Sequence, residues 1–224
     1  IETIIGESRR ATRLVQQILD FSRRSRMTTQ PLDLKPFVQE VVRVLERTIP
    51  ESISVLHGTG PGMYVVEADP TRIQQVLMNL ALNARDAMPD GGDLYVSLSR
   101  VAIAPDERPP VVEMPPGDWV CLAVSDTGTG IATEVRAHLF EPFFSTKGPG
   151  MGTGLGLAQV HGIVEQHHGH IDVETEVGVG TTFRVYLPAC SEEDADQEEM
   201  AAGVLPKGRG ETILVVEDED RVRR

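Results

Sequence analysis

Between residues 32 and 189, strand-length apolar runs and helical stripes follow one another without regular strand–helix–strand alternation. The expected class is α+β: a two-layer α/β sandwich with a mostly antiparallel sheet and helices on one face. Asp33 caps a first helix, with Pro36 in its opening turn and Phe37, Val38, Val41, Val42 and Leu45 as its stripe. Strands are expected at 52–57 and 63–67. Asp69 and Pro70 announce a long helix from 70 to about 88, which ends at Pro89, Gly91 and Gly92. The alternating run 93–101 is a strand. The stretch 104–117 holds five prolines and makes a hairpin loop into a buried strand at 118–125. A short helix at 133–139, a glycine-rich loop, a helix at 154–168 and strands at 170–176 and 181–187 complete the region.

Outside this region the chain changes character. Residues 1–27 form one amphipathic helix with apolar or small residues at Ile1, Ile5, Ser8, Thr12, Val15, Leu19 and Ser22. These alternating steps of four and three are the seam of a helical bundle, which a lone helix cannot bury. Pro31 and the residues after it read as a linker. Residues 191–210 combine low hydrophobicity with dense acidic charge and read as a disordered linker. From Glu211 an apolar strand runs into an acidic cluster at 217–220. The 224 residues begin at Ile1 rather than Met, and both ends read as cut, so an excised fragment is expected.

Composition removes several functions. Asp and Glu number 34 against 21 Lys and Arg, for a net charge of −13, which argues against a nucleic-acid surface. Cys121 and Cys190 do not make a disulfide framework, so a reducing cytosol is expected. No apolar stretch approaches the roughly 18 residues of a membrane span.

Four segments carry chemistry. On the 70–88 helix, Asn79, Asn83 and Asp86 fall at i, i+4 and i+7 and share one face, leaving Val76, Leu77, Leu80 and Ala84 for the sheet. Amide and carboxylate oxygens in a row suit a hard cation such as Mg²⁺ held on phosphates. At 126–131, Asp126 follows a buried strand and precedes Gly128 and Gly130. Its carboxylate can accept from an exocyclic amine while the glycines admit a flat ring. Residues 140–157 pass from an aromatic stretch through Lys147 to glycines at 148, 150, 152, 154 and 156, opening onto a helix. Backbone N–H groups there can receive an anion, and the loop can act as a lid. At 178–183, Thr181 and Thr182 follow a glycine turn into the last strand. Taken singly these also fit a solvated helix face, an ordinary turn, a flexible loop and a plain hairpin.

Together and in this order they resemble the catalytic, ATP-binding domain of bacterial sensor histidine kinases, of the Bergerat-fold ATPase superfamily. Residues 79–87 are similar to that family's asparagine box, 126–130 to its first glycine box and 140–144 to its phenylalanine box. Residues 152–157 are similar to the second glycine box, and 178–182 to the last glycine motif. Residues 1–30 resemble the second helix of a dimerisation and histidine-phosphotransfer hairpin, 31–190 the ATP-binding domain, and 211–224 the start of a receiver domain. The parent implied is a hybrid kinase.

The resemblance implies Asn83 as the Mg²⁺ ligand, with Asn79 supporting it. It places Asp126 on the adenine amine with Thr182 close by, Gly128 and Gly130 shaping the adenine pocket, and Leu139 as a wall. Gly152, Thr153, Gly154, Leu155 and Gly156 would bracket the phosphates, and Lys147 would reach the terminal one. Many family members put Lys three residues after the metal-binding Asn, where this chain has Asp86. That carboxylate is expected to pair with Arg72, Arg85 or a lid residue. Hydrolysing relatives carry a Glu one turn before the Asn as general base for water; here the position is Asn79, whose amide takes no proton. The implied activity is therefore phosphoryl transfer to histidine. The implied partners are ATP, the phosphotransfer helix, a second kinase chain and a receiver domain, with no nucleic acid and no membrane contact.

None of the six histidines lies in a helix with an acidic residue immediately after it, so the acceptor is expected outside these residues. ATP–Mg²⁺ binding without autophosphorylation follows. A regulatory module that binds nucleotide without catalysis is the alternative. His167, His168 and His170 read as a solvated helix end rather than a metal cluster.

Overall fold

The structure is a computed structural model that describes residues 27–60, 62–147 and 153–190. The helix expected over 1–27, but for its last residue, the acidic linker and the strand after 211 lie outside the described residues. Among the described residues, seven strands and four helices follow in the order β1 (Gln30–Asp33), α1 (Leu34–Thr48), β2 (Ile53–Thr59), β3 (Val65–Ala68), α2 (Pro70–Ala87), β4 (Gly92–Ile103), β5 (Gly117–Asp126), α3 (Thr133–Arg136), α4 (Gly156–Gln166), β6 (His170–Glu176) and β7 (Gly180–Pro188). The expected sandwich is present. A five-stranded sheet runs β2-β4-β5-β7-β6, antiparallel except for the parallel pair β2–β4.

Both long helices start where their caps direct. The Asp33 carboxylate accepts from the N–H of Lys35, and that of Asp69 accepts from Thr71 and Arg72, with Pro70 supplying a preset first residue. Alternation then sorts the strands. Leu94, Val96 and Leu98 of β4, Val120, Leu122 and Val124 of β5, and Phe183, Val185 and Leu187 of β7 share one core with the buried stripes of α1, α2 and α4. The other face carries a smaller cluster of Ile103, Met114, Trp119, Cys121 and Tyr186. Burial pushes the Cys121 thiol up and the Tyr186 hydroxyl to about 12, so both stay neutral beside each other.

The expected linker at Pro31 is instead a strand. β1 pairs antiparallel with β3 from Gln30↔Ala68 to Asp33↔Val65. Pro31 lacks an N–H and is tolerated because β1 is an edge of a two-stranded ribbon. This ribbon is tied to the end of β7 by the Val66↔Ala189 bridge and the Cys190 N–H to Val65 O bond of 2.9 Å. The solvated helix end expected at His167 is also corrected. His167 is 3 % exposed, its Nδ1 bonds Ile163 O at 2.7 Å, and its Nε2 accepts the Asp69 N–H at 3.0 Å. One ring nitrogen donates and the other accepts, so the neutral ring joins the end of α4 to the cap of α2. His170 stands edge-on to Trp119, with ring centroids 5.3 Å apart. No helix among the described residues is long and apolar enough to cross a membrane.

Candidate functional site

A two-compartment cleft lies over the end of the helix layer. One compartment, of about 440 Å³, is lined by Asn79, Asn83, Asp86, Lys147, Thr153, Gly154, Gly156 and Gln159. The other, of about 380 Å³, is lined by Asp126, Thr129, Gly130, Ile131, Ala132, Thr181 and Phe183. Asn83, Asp86, Val135, Leu139, Thr146, Lys147 and Leu157 line both and mark their junction.

In the first compartment the i, i+4, i+7 spacing brings Asn79, Asn83 and Asp86 to the cavity while Val76, Leu77, Leu80 and Ala84 are buried. The Asn79 amide reaches Gly156 O and Gln159 Oε1, both at 3.4 Å, so it braces the start of α4. Among the described residues that start has no side-chain cap, so its first-turn N–H groups can receive an anion. Gly154 adopts φ +67, and a Cβ there would lie 2.4 Å from Phe143 C, so the loop can close on the aromatic stretch only through glycine. The Phe143 N–H donates to Gly154 O at 3.0 Å.

The second compartment is built from backbone. The Asp126 carboxylate accepts the Gly128 N–H at 2.9 Å and the Thr181 N–H. Burial outweighs these bonds and raises its pKa above the ordinary 3.8. Gly130 has φ +68 and would place a Cβ 2.1 Å from Glu176 O, while the Gly178 N–H donates to Thr129 O at 2.9 Å. The Thr175 hydroxyl accepts the Ile131 N–H at 2.9 Å and donates to Gly180 O at 3.1 Å. The β6–β7 hairpin and the turn after β5 therefore hold each other.

Asp86 is the expected departure from the family pattern, and its partners are Arg85 and Lys147, whereas Arg72 bonds Gln75 instead. Burial would raise the Asp86 pKa, but hydrogen bonds and charge from Lys147 and Arg85 prevail and lower it from 3.8. Lys147 is thus neither a free surface lysine nor an unpartnered cation.

Three expected residues are placed differently. Thr182 faces away from the cleft and donates to the Ser125 hydroxyl at 2.9 Å; strand alternation sends Thr181 and Phe183 into the cleft. Gly128 is packed under the end of α2, where a Cβ would lie 2.6 Å from Ala87 O, so it makes room for the helix. Leu155 is buried, and its side chain does not line the cleft. Leu139 is a wall of both compartments, and Gly152 lies outside the described residues. Sequence reading passed over Gln159, Thr129, Ile131, Val135 and Phe183. Of these, Gln159 was findable, three positions after Gly156 on the same helix, and Phe183 by counting strand alternation from Val185.

The donor set fits a hard cation. Asn79 and Asn83 offer amide oxygens to the first compartment, too few to enclose an ion, as suits Mg²⁺ that keeps waters and ligand oxygens, while both Asp86 oxygens are engaged by Arg85 and Lys147.

Comparison with known proteins finds residues 68–191 matching the family described as histidine kinase-, DNA gyrase B-, and HSP90-like ATPase. The sensor kinase CckA of Brucella abortus (strain 2308) is 39 % identical over 230 residues, covering 100 % of this chain and 24 % of its own length. The chain thus spans about a quarter of that relative. Among solved structures, full-length ShkA in complex with AMPPNP superimposes with a TM-score of 0.67 and 27 % identity, covering 84 % of this chain and 38 % of that one. Histidine kinase ThkA in complex with response regulator protein TrrA gives a TM-score of 0.63 and 28 % identity, covering 85 % and 50 %.

Proposed function

Because the chain belongs to the histidine kinase-, DNA gyrase B- and HSP90-like ATPase family, we propose that its cleft binds ATP with Mg²⁺ for phosphoryl transfer to a histidine outside these 224 residues. The observation that carries this is the joining of an Asp126 compartment and an uncapped helix start through Asn83. Asp126 accepts the adenine amine, and Thr181, rather than Thr182, supplies the hydroxyl at the base end. Ile131 and Leu139 wall the ring. Thr153, Gly154 and the first-turn N–H groups of α4 receive the phosphates, to which Leu155 contributes only backbone.

Asn83 would hold the metal, which would supply charge neutralisation to the phosphates. Asn79 occupies the position where a hydrolase would keep its base; as an amide it braces α4 and cannot activate water. Positioning and charge neutralisation are what phosphoryl transfer asks of a protein, and this cleft offers both. The relative crystallised with AMPPNP and the neighbour crystallised with a response regulator support nucleotide and receiver partners. We further infer that the residues before Met27 belong to a phosphotransfer-hairpin helix, which stops short of the expected residue 30 because Gln30 opens β1, that 191–210 are a linker and that 211–224 open a receiver domain.

Calorimetric titration with a non-hydrolysable ATP analogue tests the reading. Binding is expected to weaken without Mg²⁺ and on Asn83→Ala with the fold intact; an affinity indifferent to both would remove Asn83 from its role. Phosphohistidine formed on this chain alone from labelled ATP would refute the external acceptor.

A further inference from the structure

Asp86 joins two cations at the junction of the cleft. Its Oδ1 accepts from Arg85 Nε at 2.9 Å and Nη2 at 2.6 Å, and its Oδ2 accepts from Lys147 Nζ. Lys147 comes from the segment that runs toward the glycine loop, whereas Asp86 and Arg85 belong to α2. The pair lines both compartments, and also a third cavity, of about 500 Å³, beside Ile53, Met88 and Pro89. It therefore stands where the cavities meet, beside the Asn79 and Asn83 face along which a polyphosphate would lie.

The chemistry of this bridge makes it exchangeable. Lys147 is 34 % and Asp86 28 % exposed, so water screens the pair and reaches it. An arriving terminal phosphate is repelled by Asp86 and competes with it for Lys147. Arg85 remains on Asp86 when Lys147 leaves, so the carboxylate is not left without a cation. A diphosphate brings less charge to the same place.

Resting on the nucleotide reading above, we propose that Asp86 latches Lys147 across the cleft in the nucleotide-free protein and yields it to a terminal phosphate. Asp86 is then a specificity-determining residue that holds down the preference for nucleoside triphosphate over diphosphate. Its effect depends on Lys147, which is the difference between a latch and a simple repulsive charge.

Two measurements on the full chain test this. Trypsin cuts after lysine, so cleavage of the Lys147–Gly148 bond, followed by mass spectrometry without nucleotide, reports whether Nζ is held. Asp86→Asn should be cut there about threefold faster, the scale of a screened ion pair; equal rates overturn the latch whatever nucleotides do. Titration with MgATP and MgADP then gives the affinity ratio. Asp86→Asn should raise the ATP:ADP ratio about threefold, Lys147→Met should lower it, and Asp86→Asn added to Lys147→Met should change it less than in the wild type. Additive effects, or a ratio unmoved by Asp86→Asn while the wild type binds both nucleotides, overturn the latch alone. A wild type that binds neither overturns the nucleotide reading and the discrimination role with it.

Discussion

The cleft holds two carboxylates, Asp126 in one compartment and Asp86 at the junction of both, and they are held in opposite ways. Asp126 is held by backbone N–H groups at the end of a central strand, and burial leaves its pKa raised. Asp86 is held by the side chains of Lys147 and Arg85, which more than offset burial and leave its pKa lowered. Backbone partners cannot leave without unfolding a turn; side-chain partners can rotate away. A rigid end that recognises a base and an exchangeable end that handles phosphate follow from that difference.

The largest test strikes the rigid end. Gly130→Ala puts a Cβ at φ +68 against Glu176 O and should cost about 3 kcal/mol or more, read by denaturant unfolding. A tolerated alanine would show that the turn is not clamped. Next, Asp126→Ala should weaken ATP binding by about 2 kcal/mol while sparing the phosphate end, so that pyrophosphate competes as before. If both ligands weaken equally, the compartments are not independent.

At the exchangeable end the effects are smaller. Asn79→Ala removes two long bonds to α4 and should destabilise by about 1 kcal/mol, visible as faster exchange of the Gln159 amide, whose N–H donates to Leu155 O. Smallest is the pH response. Asp86, lowered on folding, contributes stability that is present above 3.8 and lost as pH falls through its folded value. Asp126, raised on folding, costs stability that sets in as pH rises from 3.8 through its folded value. Carboxyl resonances followed by NMR should therefore titrate on opposite sides of 3.8. Stability should lose acid dependence in Asp86→Asn, by about 0.5 kcal/mol, and gain it in Asp126→Asn.

Much of this was legible in the amino-acid sequence because short-range physics sets it. Asp69 and Pro70 start α2, heptad-like spacing places Asn79, Asn83 and Asp86 on one face, and alternation predicts the buried side of β5 and β7. What escaped depends on partners distant along the chain. Pro31 looks like a breaker until β3 arrives beside it. Gly128 looks like a ligand-facing glycine until Ala87 is found above it. His167 looks solvated until Asp69, 98 residues away, donates to its ring. Thr182 was within reach, since counting from the buried Val185 already places it on the outer face.

The parallel pairing of β2 with β4 has a consequence for the whole cleft. Neighbours that run the same way cannot be joined by a tight hairpin, so the backbone must travel back along the molecule before re-entering the sheet. Here the return journey is β3 followed by the eighteen residues of α2. The asparagine-bearing rod is thus the connector that this one pairing demands, and a sheet re-threaded as a simple meander would have no occasion to lay it there.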